Sequence, residues 1–225
     1  MWWIREYLGT NHHHRPHLLV LHYGTNIEFT GVRWMNSPNF HLLIEDFDTA
    51  WFHDFEIYVD SYGQLELKRL FMGNGKDRST DNGFLPSPTL PAYALNTDGI
   101  DPSGKNFIIE RLNITNYDDA VAVKPSNNKG KYAQCSENAI IRDCTIRFGV
   151  GMTIGTVVPH DTYNCIRNIT FLNHTFYHPF KAVYVKNNPG TTTSMLPGSG
   201  GEVTNIHYKN LVIHKPLWWA IYIGP

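Results

Sequence analysis

One pattern recurs four times in the second half of the chain. Phe107-Ile108-Ile109-Glu110-Arg111-Leu112-Asn113-Ile114-Thr115 leads to Ala120-Val121-Ala122-Val123, and Ala139-Ile140-Ile141-Arg142-Asp143-Cys144-Thr145-Ile146 leads to Gly151-Met152-Thr153-Ile154. Asn168-Ile169-Thr170-Phe171-Leu172-Asn173-His174-Thr175-Phe176 then leads to Ala182-Val183-Tyr184-Val185, and the run from Val203 to Ile213 leads to Ala220-Ile221-Tyr222-Ile223. Each unit is an alternating strand pair, a turn and a short β run, with successive final runs about 30 to 40 residues apart. A unit this small cannot bury its apolar face alone, but a stack of them can. The expected fold is therefore all-β, a right-handed parallel β-helix forming a single domain over residues 1–225. A β-sandwich is the alternative; it needs hairpin turns such as Asn-Gly, which are scarce in the second half. No long run carries apolar residues at helical spacing, so little helix is expected.

The first half fits the same reading less regularly. Asn26-Ile27-Glu28-Phe29-Thr30-Gly31-Val32-Arg33-Trp34 alternates with period two and breaks at Asn36-Ser37-Pro38, and short β runs follow at His41–Glu45 and Phe55–Val59. Residues 60–95 are polar and turn-rich, with Pro86, Pro88 and Pro91 at their end, and read as a surface excursion because the strand pattern resumes beyond them. His12-His13-His14 has no acidic or cysteine partner at ligand spacing and reads as loop, so neither metal nor cofactor is expected.

A net charge of -1 over 225 residues argues against nucleic-acid partners but leaves room for a local basic patch meeting an acidic ligand. No apolar run approaches a membrane span, so no membrane partner is expected. Cys135, Cys144 and Cys165 allow at most one disulfide and leave one thiol over, with the pairing open. Asn113, Asn168 and Asn173 head glycosylation sequons, which modestly favours secretion. Yet Met1-Trp2-Trp3-Ile4-Arg5-Glu6 lacks a basic segment followed by an apolar core, and is not a signal peptide.

The charged residues that stand out lie in Asn96-Thr97-Asp98-Gly99-Ile100-Asp101 and Asn116-Tyr117-Asp118-Asp119. Asp98 precedes Asp118 and Asp119 by 20 and 21 positions, about one coil, which would set them on neighbouring strands roughly 5 Å apart. Adjacent Asp118 and Asp119 point to opposite faces of an ideal strand, so they serve one site only at a bend or strand end. Taken singly, each aspartate suits a turn. As a set inside a stacking repeat they suit glycoside hydrolysis, in which one carboxyl protonates the leaving oxygen and others direct water or attack carbon. Mutual repulsion would keep one of them protonated. Ca²⁺ binding is the lesser alternative, because a whole coil separates the carboxylates.

These segments, followed by Gly149-Val150-Gly151-Met152-Thr153-Ile154-Gly155 and Tyr184-Val185-Lys186, resemble the four successive motifs of the polygalacturonase family of glycoside hydrolases (family 28), nearest its fungal exo-acting, galacturan 1,4-alpha-galacturonidase-like members. The resemblance runs from around Arg15 to the end. It implies a pectin-lyase-like right-handed parallel β-helix, secretion, and inverting hydrolysis that releases terminal galacturonic acid from pectic polysaccharide. In that light Asp118 resembles the general acid, and Asp98 and Asp119 the pair that orients and deprotonates water. Lys186 matches the lysine that pairs with the substrate carboxylate, as a cation should. Asp101 and Tyr184 fall among the expected substrate-binding residues. Trp219 lies close to where the family places a tyrosine in its cleft.

Two departures shape the expectations. Val150 occupies the place of the usual histidine of the third motif, and His160 or His178 would have to take over its role. Tyr184 replaces the arginine of the fourth, which removes a bidentate clamp on a carboxylate and makes rhamnose or rhamnogalacturonan hydrolysis the alternative. Lys181, Asn164 and Arg167 are weaker subsite candidates. Family members are longer than 225 residues, so the chain is expected to be truncated at both ends, a monomer whose isolated form is poorly soluble or inactive. A carbohydrate-binding solenoid without turnover is the third reading.

Overall fold

The computed structural model describes Trp3 and residues 15–61, 94–126, 130–157, 163–187 and 200–225. The excursion expected over 60–95 falls almost wholly outside the described residues, as do His12-His13-His14 and His160.

Among the described residues fourteen strands pair with one another in parallel, in three ladders, which bears out the β-helix. In the longest ladder β1 (Leu19–Thr30), β3 (Leu42–His53), β5 (Ile100–Glu110), β8 (Ser136–Arg142), β11 (Asn164–Tyr177) and β13 (Gly201–His214) follow one another. A second joins β2 (Arg33–Met35), β4 (Glu56–Tyr58), β6 (Asn113–Thr115), β9 (Thr145–Arg147) and the end of β11. The third runs from β5 through β7 (Asp119–Val123), β10 (Gly151–Val157), β12 (Val183–Asn187) and β14 (Ile221–Gly224).

Register explains the repeat in the sequence. Phe29, Phe52, Ile109, Ile141, Phe171 and Tyr208 occupy one position in six successive coils. Trp34, Ile57, Ile114, Ile146, Phe176 and Ile213 occupy another. Large apolar side chains stack on one another about 4.8 Å apart, so an inward position in one coil asks for an apolar side chain above and below. The core they form, with Phe52, Ile109, Ile141 and Phe171 at 0% exposure, runs the length of the stack.

The corners repeat too. Asn26, Thr49, Asn106, Asn138, Asn168 and Asn205 all have positive φ and each precedes a stacked inward residue. Asn tolerates the left-handed region better than other non-glycine residues, which is why it recurs there. Its amide then bonds to the next coil: Asn168 Nδ2 donates to Asn138 Oδ1 (2.8 Å), and Asn138 Nδ2 to Asn106 Oδ1 (3.2 Å). At a second corner Asn210 donates to Asn173 and Asn173 to Asp143. The sequon residues Asn168 and Asn173 thus already have a role in holding coils together.

The cysteines separate by the same logic. Cys135 and Cys165, 30 residues or one coil apart, form the disulfide. Cys144 lies inside the core, where burial pushes its thiol up to about 12. Packing occupies this thiol, so the leftover cysteine needs no partner cysteine to explain it.

Two buried histidines make the stack sensitive to acid. His174, at 0% exposure, accepts the Cys144 N–H at Nδ1 (3.3 Å) and donates from Nε2 to Ile141 O (3.1 Å), and burial drags it down to about 4. His41 is likewise lowered to about 4. A histidine depressed in the folded state leaves stability unaffected above its unfolded value of 6.5 and withdraws it as pH falls from there toward 4. For His174 alone that amounts to about 3 kcal/mol. The raised carboxyls of Asp98, Asp101 and Asp118 act oppositely, binding protons in the folded state and adding stability over part of the same range. Comparing His174→Gln with the parent isolates the histidine. Urea unfolding at pH 7 and pH 4 should show the variant losing about 3 kcal/mol less between the two; equal losses would refute the assignment.

Candidate active site

The site is built where the third ladder begins. Asn96, with φ of 57°, starts a turn that Arg15 clamps, donating to the Leu95 carbonyl (2.6 Å) and to Asn96 Oδ1 (2.5 Å). Thr97 Oγ1 donates to Ala94 O and accepts the Tyr117 N–H, tying this turn to the one that carries Asp118 and Asp119. Buried Asn116 holds both: its Nδ2 donates to Thr97 O (3.0 Å), Asp118 O (3.0 Å) and Asp119 O (2.7 Å). Neutral His41 fixes Asp98 through the Asp98 carbonyl, which accepts both its N–H (2.8 Å) and its Nδ1–H (2.9 Å). Gly99 is required by proximity, since a Cβ there would stand 2.3 Å from Ala120 O.

This scaffold brings Asp98, Asp118 and Asp119 together, with one oxygen from each within 4.8 Å of the others. The condition on the adjacent pair is met. Asp119 is the first residue of β7, and the register slips between Gly151 and Met152 opposite it, so Asp118 is freed from strand alternation. Asp118 is half-buried, while Asp98 and Asp119 are buried.

Their environments differ. Asp98 is held well above the usual carboxylate range, first by burial, then by the charges of Asp101, Asp118 and Asp119, and its Oδ1 has no hydrogen-bond partner among the described residues. Asp118 is also raised, by burial and then by Asp119, against the pull of two backbone donors, Asn96 N–H and Asp119 N–H (both 2.9 Å). Asp119 accepts the Thr153 hydroxyl (2.7 Å) and is ion-paired to Lys186 (2.5 Å). Two carboxyls disposed to hold a proton, Asp98 and Asp118, thus sit beside an Asp119 that carries a cation, an arrangement suited to general acid–base chemistry.

The sequence-level argument against Ca²⁺ does not survive, because stacking closes the coil of separation to 4.8 Å. Charge weighs against it instead. Lys186 neutralises Asp119, and Lys124, 3.2 Å from Asp101, also acts on Asp98.

Several expectations need correction. Asp101 is 0% exposed and pairs with Lys124, so it cannot touch substrate; burial pushes its carboxyl up to about 7, and its charge acts on Asp98. Lys186 faces Asp119, so its charge already has a partner within the protein. His178 stacks on Phe148 (6.3 Å between ring centroids) and lines a groove with Arg147 and Tyr177. Val150 packs no imidazole against the carboxylates; its N–H donates to Asp118 O (2.8 Å). Tyr184 and Trp219 do lie at one surface. Tyr184 is 5.4 Å from Tyr222, whose ring stacks on Trp219 at 5.0 Å. Asn116, His41 and Arg15 escaped the sequence reading, because their partners are backbone atoms brought close only by coiling.

The model of the family described as "Glycosyl hydrolases family 28" matches residues 1–223. An endo-polygalacturonase of Pectobacterium parmentieri is 30% identical over 90% of this chain and 39% of its own length. The alpha-L-rhamnosidase rgxB of Aspergillus niger is 24% identical over 88% of this chain and 39% of its own, and an exopolygalacturonase of Cochliobolus carbonum 23% identical over 93% and 40%. The chain is therefore similar to endo- and exo-acting relatives alike, with no special closeness to the fungal exo-acting ones, and spans less than half the length of each. The crystal structure of endo-xylogalacturonan hydrolase from Aspergillus tubingensis superposes with a TM-score of 0.71 at 20% identity, over 99% of this chain and 49% of that one. That likeness concerns the fold.

Proposed function

The chain belongs to glycosyl hydrolases family 28, and on that premise we propose that its carboxylates hydrolyse galacturonide bonds in pectic polysaccharide. The observation that carries this reading is the convergence of Asp98, Asp118 and Asp119 within 4.8 Å, with Asp118 the most accessible. Asp118 gives its proton to the leaving glycosidic oxygen. A water held between the unpartnered Oδ1 of Asp98 and the Asp119 carboxylate attacks the anomeric carbon, and its proton passes to that pair. Lys186 holds Asp119 in place through their ion pair. The sugar polymer is the partner, its site is outside the cell, and the disulfide fits an oxidising compartment.

We assign inversion and release of terminal galacturonate. Inverting pairs usually stand about 6.5–9.5 Å apart and retaining pairs about 5–5.5 Å, so the compact cluster makes stereochemistry the decisive test. Proton NMR of the first product from polygalacturonate should show the inverted anomer, as monosaccharide from the start. The retained anomer would make Asp98 or Asp119 a nucleophile, and a ladder of oligomers would mean internal cleavage. The second reading, hydrolysis of rhamnose-containing chains, is favoured by Tyr184 and by the similarity to a rhamnosidase. It would be adopted if sugar were released from rhamnogalacturonan and not from polygalacturonate.

A further inference from the structure

Lys181, a subsite candidate in the sequence, is a cation to which the proposed mechanism gives no part. It precedes β12 and is 9% exposed, with its Nζ lying over the rings of Tyr184 (3.6 Å), Tyr222 (4.4 Å) and Trp218 (5.2 Å). Tyr184 and Tyr222 are register partners on β12 and β14, so the coil itself sets the spacing of this aromatic pocket. Lys186, which is paired with Asp119, lies over the same Tyr184 ring (5.0 Å), so Lys181 stands near the carboxylate cluster. Yet the nearby carboxylates are paired elsewhere, Asp119 with Lys186 and Asp101 with Lys124. Among the described residues Lys181 has π faces and no carboxylate within ion-pair distance.

A nearly buried ammonium loses hydration, which aromatic faces return only in part. Burial and the Lys186 charge hold its pKa below the usual lysine value. What the pocket lacks is an anion, and an acidic sugar polymer carries one on every ring. Lys186 already faces Asp119, whereas Lys181 has no carboxylate within ion-pair distance among the described residues, which makes Lys181 the less engaged cation. We propose that Lys181 recognises a uronate carboxylate beside the cleaved bond, with Tyr184, Tyr222 and Trp218 holding its ammonium in place. This assignment rests on the pectic-hydrolase reading and names the residue that sets its preference for acidic sugars.

The test compares Lys181→Met, which keeps the stem over the rings, and Lys181→Arg, which keeps the charge, on galacturonate oligomers and on their methyl esters. Lys181→Met should raise KM for the acidic oligomers by about 10- to 100-fold, the effect of one charge-assisted contact. Lys181→Arg should recover most of this, and the esters should not distinguish the three proteins. Equal losses on acids and esters, or an unchanged KM for acids, would overturn the proposal. Should Lys181→Met not fold, Lys181→Gln takes its place. Should the parent chain cleave neither substrate, the hydrolase reading would fall on its own. Calorimetric titration with trigalacturonate would then still decide the lysine, the same Kd in parent and neutral variant overturning it and a weaker Kd supporting it.

Discussion

Replacing Asp118 with asparagine is expected to lower kcat on pectic oligomers by about 10²–10⁴-fold, the usual worth of a positioned general acid. The substitution is close to isosteric. The Asn96 and Asp119 N–H groups that now bond to Oδ2 and Oδ1 keep an acceptor at one of the two positions, so the turn should survive. What disappears is the proton. KM should move little, because Asp118 is given no part in ground-state binding. Two further comparisons sharpen the result. A substrate with a leaving group that needs no protonation, such as a nitrophenyl glycoside, should recover much of the lost rate. The same change at Asp119 should not be rescued, since its role is on the water side. If parent and variant bind oligomers equally and neither cleaves, the chain is a binding solenoid and the catalytic assignment fails.

Asn116→Ala is expected to cost about 2–4 kcal/mol of stability and to lower kcat at least tenfold. One amide nitrogen serves the carbonyls of Thr97, Asp118 and Asp119. A buried polar group left without a partner costs about 1–3 kcal/mol. Two of the three carbonyls retain a second donor, Val150 N–H at Asp118 and Gly99 N–H at Asp119, which keeps the total from tripling. The catalytic loss has a separate cause. Asn116 links the turn of Asp98 to the turn of Asp118, and a shift of about 1 Å between reacting groups costs roughly a hundredfold. Thermal unfolding and steady-state kinetics on one preparation check both halves. An unchanged melting temperature, or lost stability with full kcat in the folded protein, would show that Asn116 does not position the pair.

The residues divide by the range over which their partners lie. Phe52, Ile109, Ile141 and Phe171 were readable as one face because alternation is local and the coil repeats it. The disulfide was readable in principle as well, for Cys135 and Cys165 stand 30 apart, as do the register partners Ile141 and Phe171. The convergence of Asp98, Asp118 and Asp119 was legible because their spacing is about one coil. Asp101 was misplaced, because nothing in Asp98-Gly99-Ile100-Asp101 says which carboxylate ends under Lys124. Lys186 was assigned to the substrate before its distance to Asp119 was known.

The sequence by itself determined the stack and the rung on which the carboxylates sit, since period, turn residues and coil spacing are properties of neighbours along the chain. Tertiary structure alone decided which charges neutralise one another, leaving Asp118 accessible, Asp101 buried and Lys181 among rings without a carboxylate. Electrostatic pairing falls off over a few ångströms of space and is indifferent to the 67 positions that separate Asp119 from Lys186 along the chain, so only the folded distances could fix it.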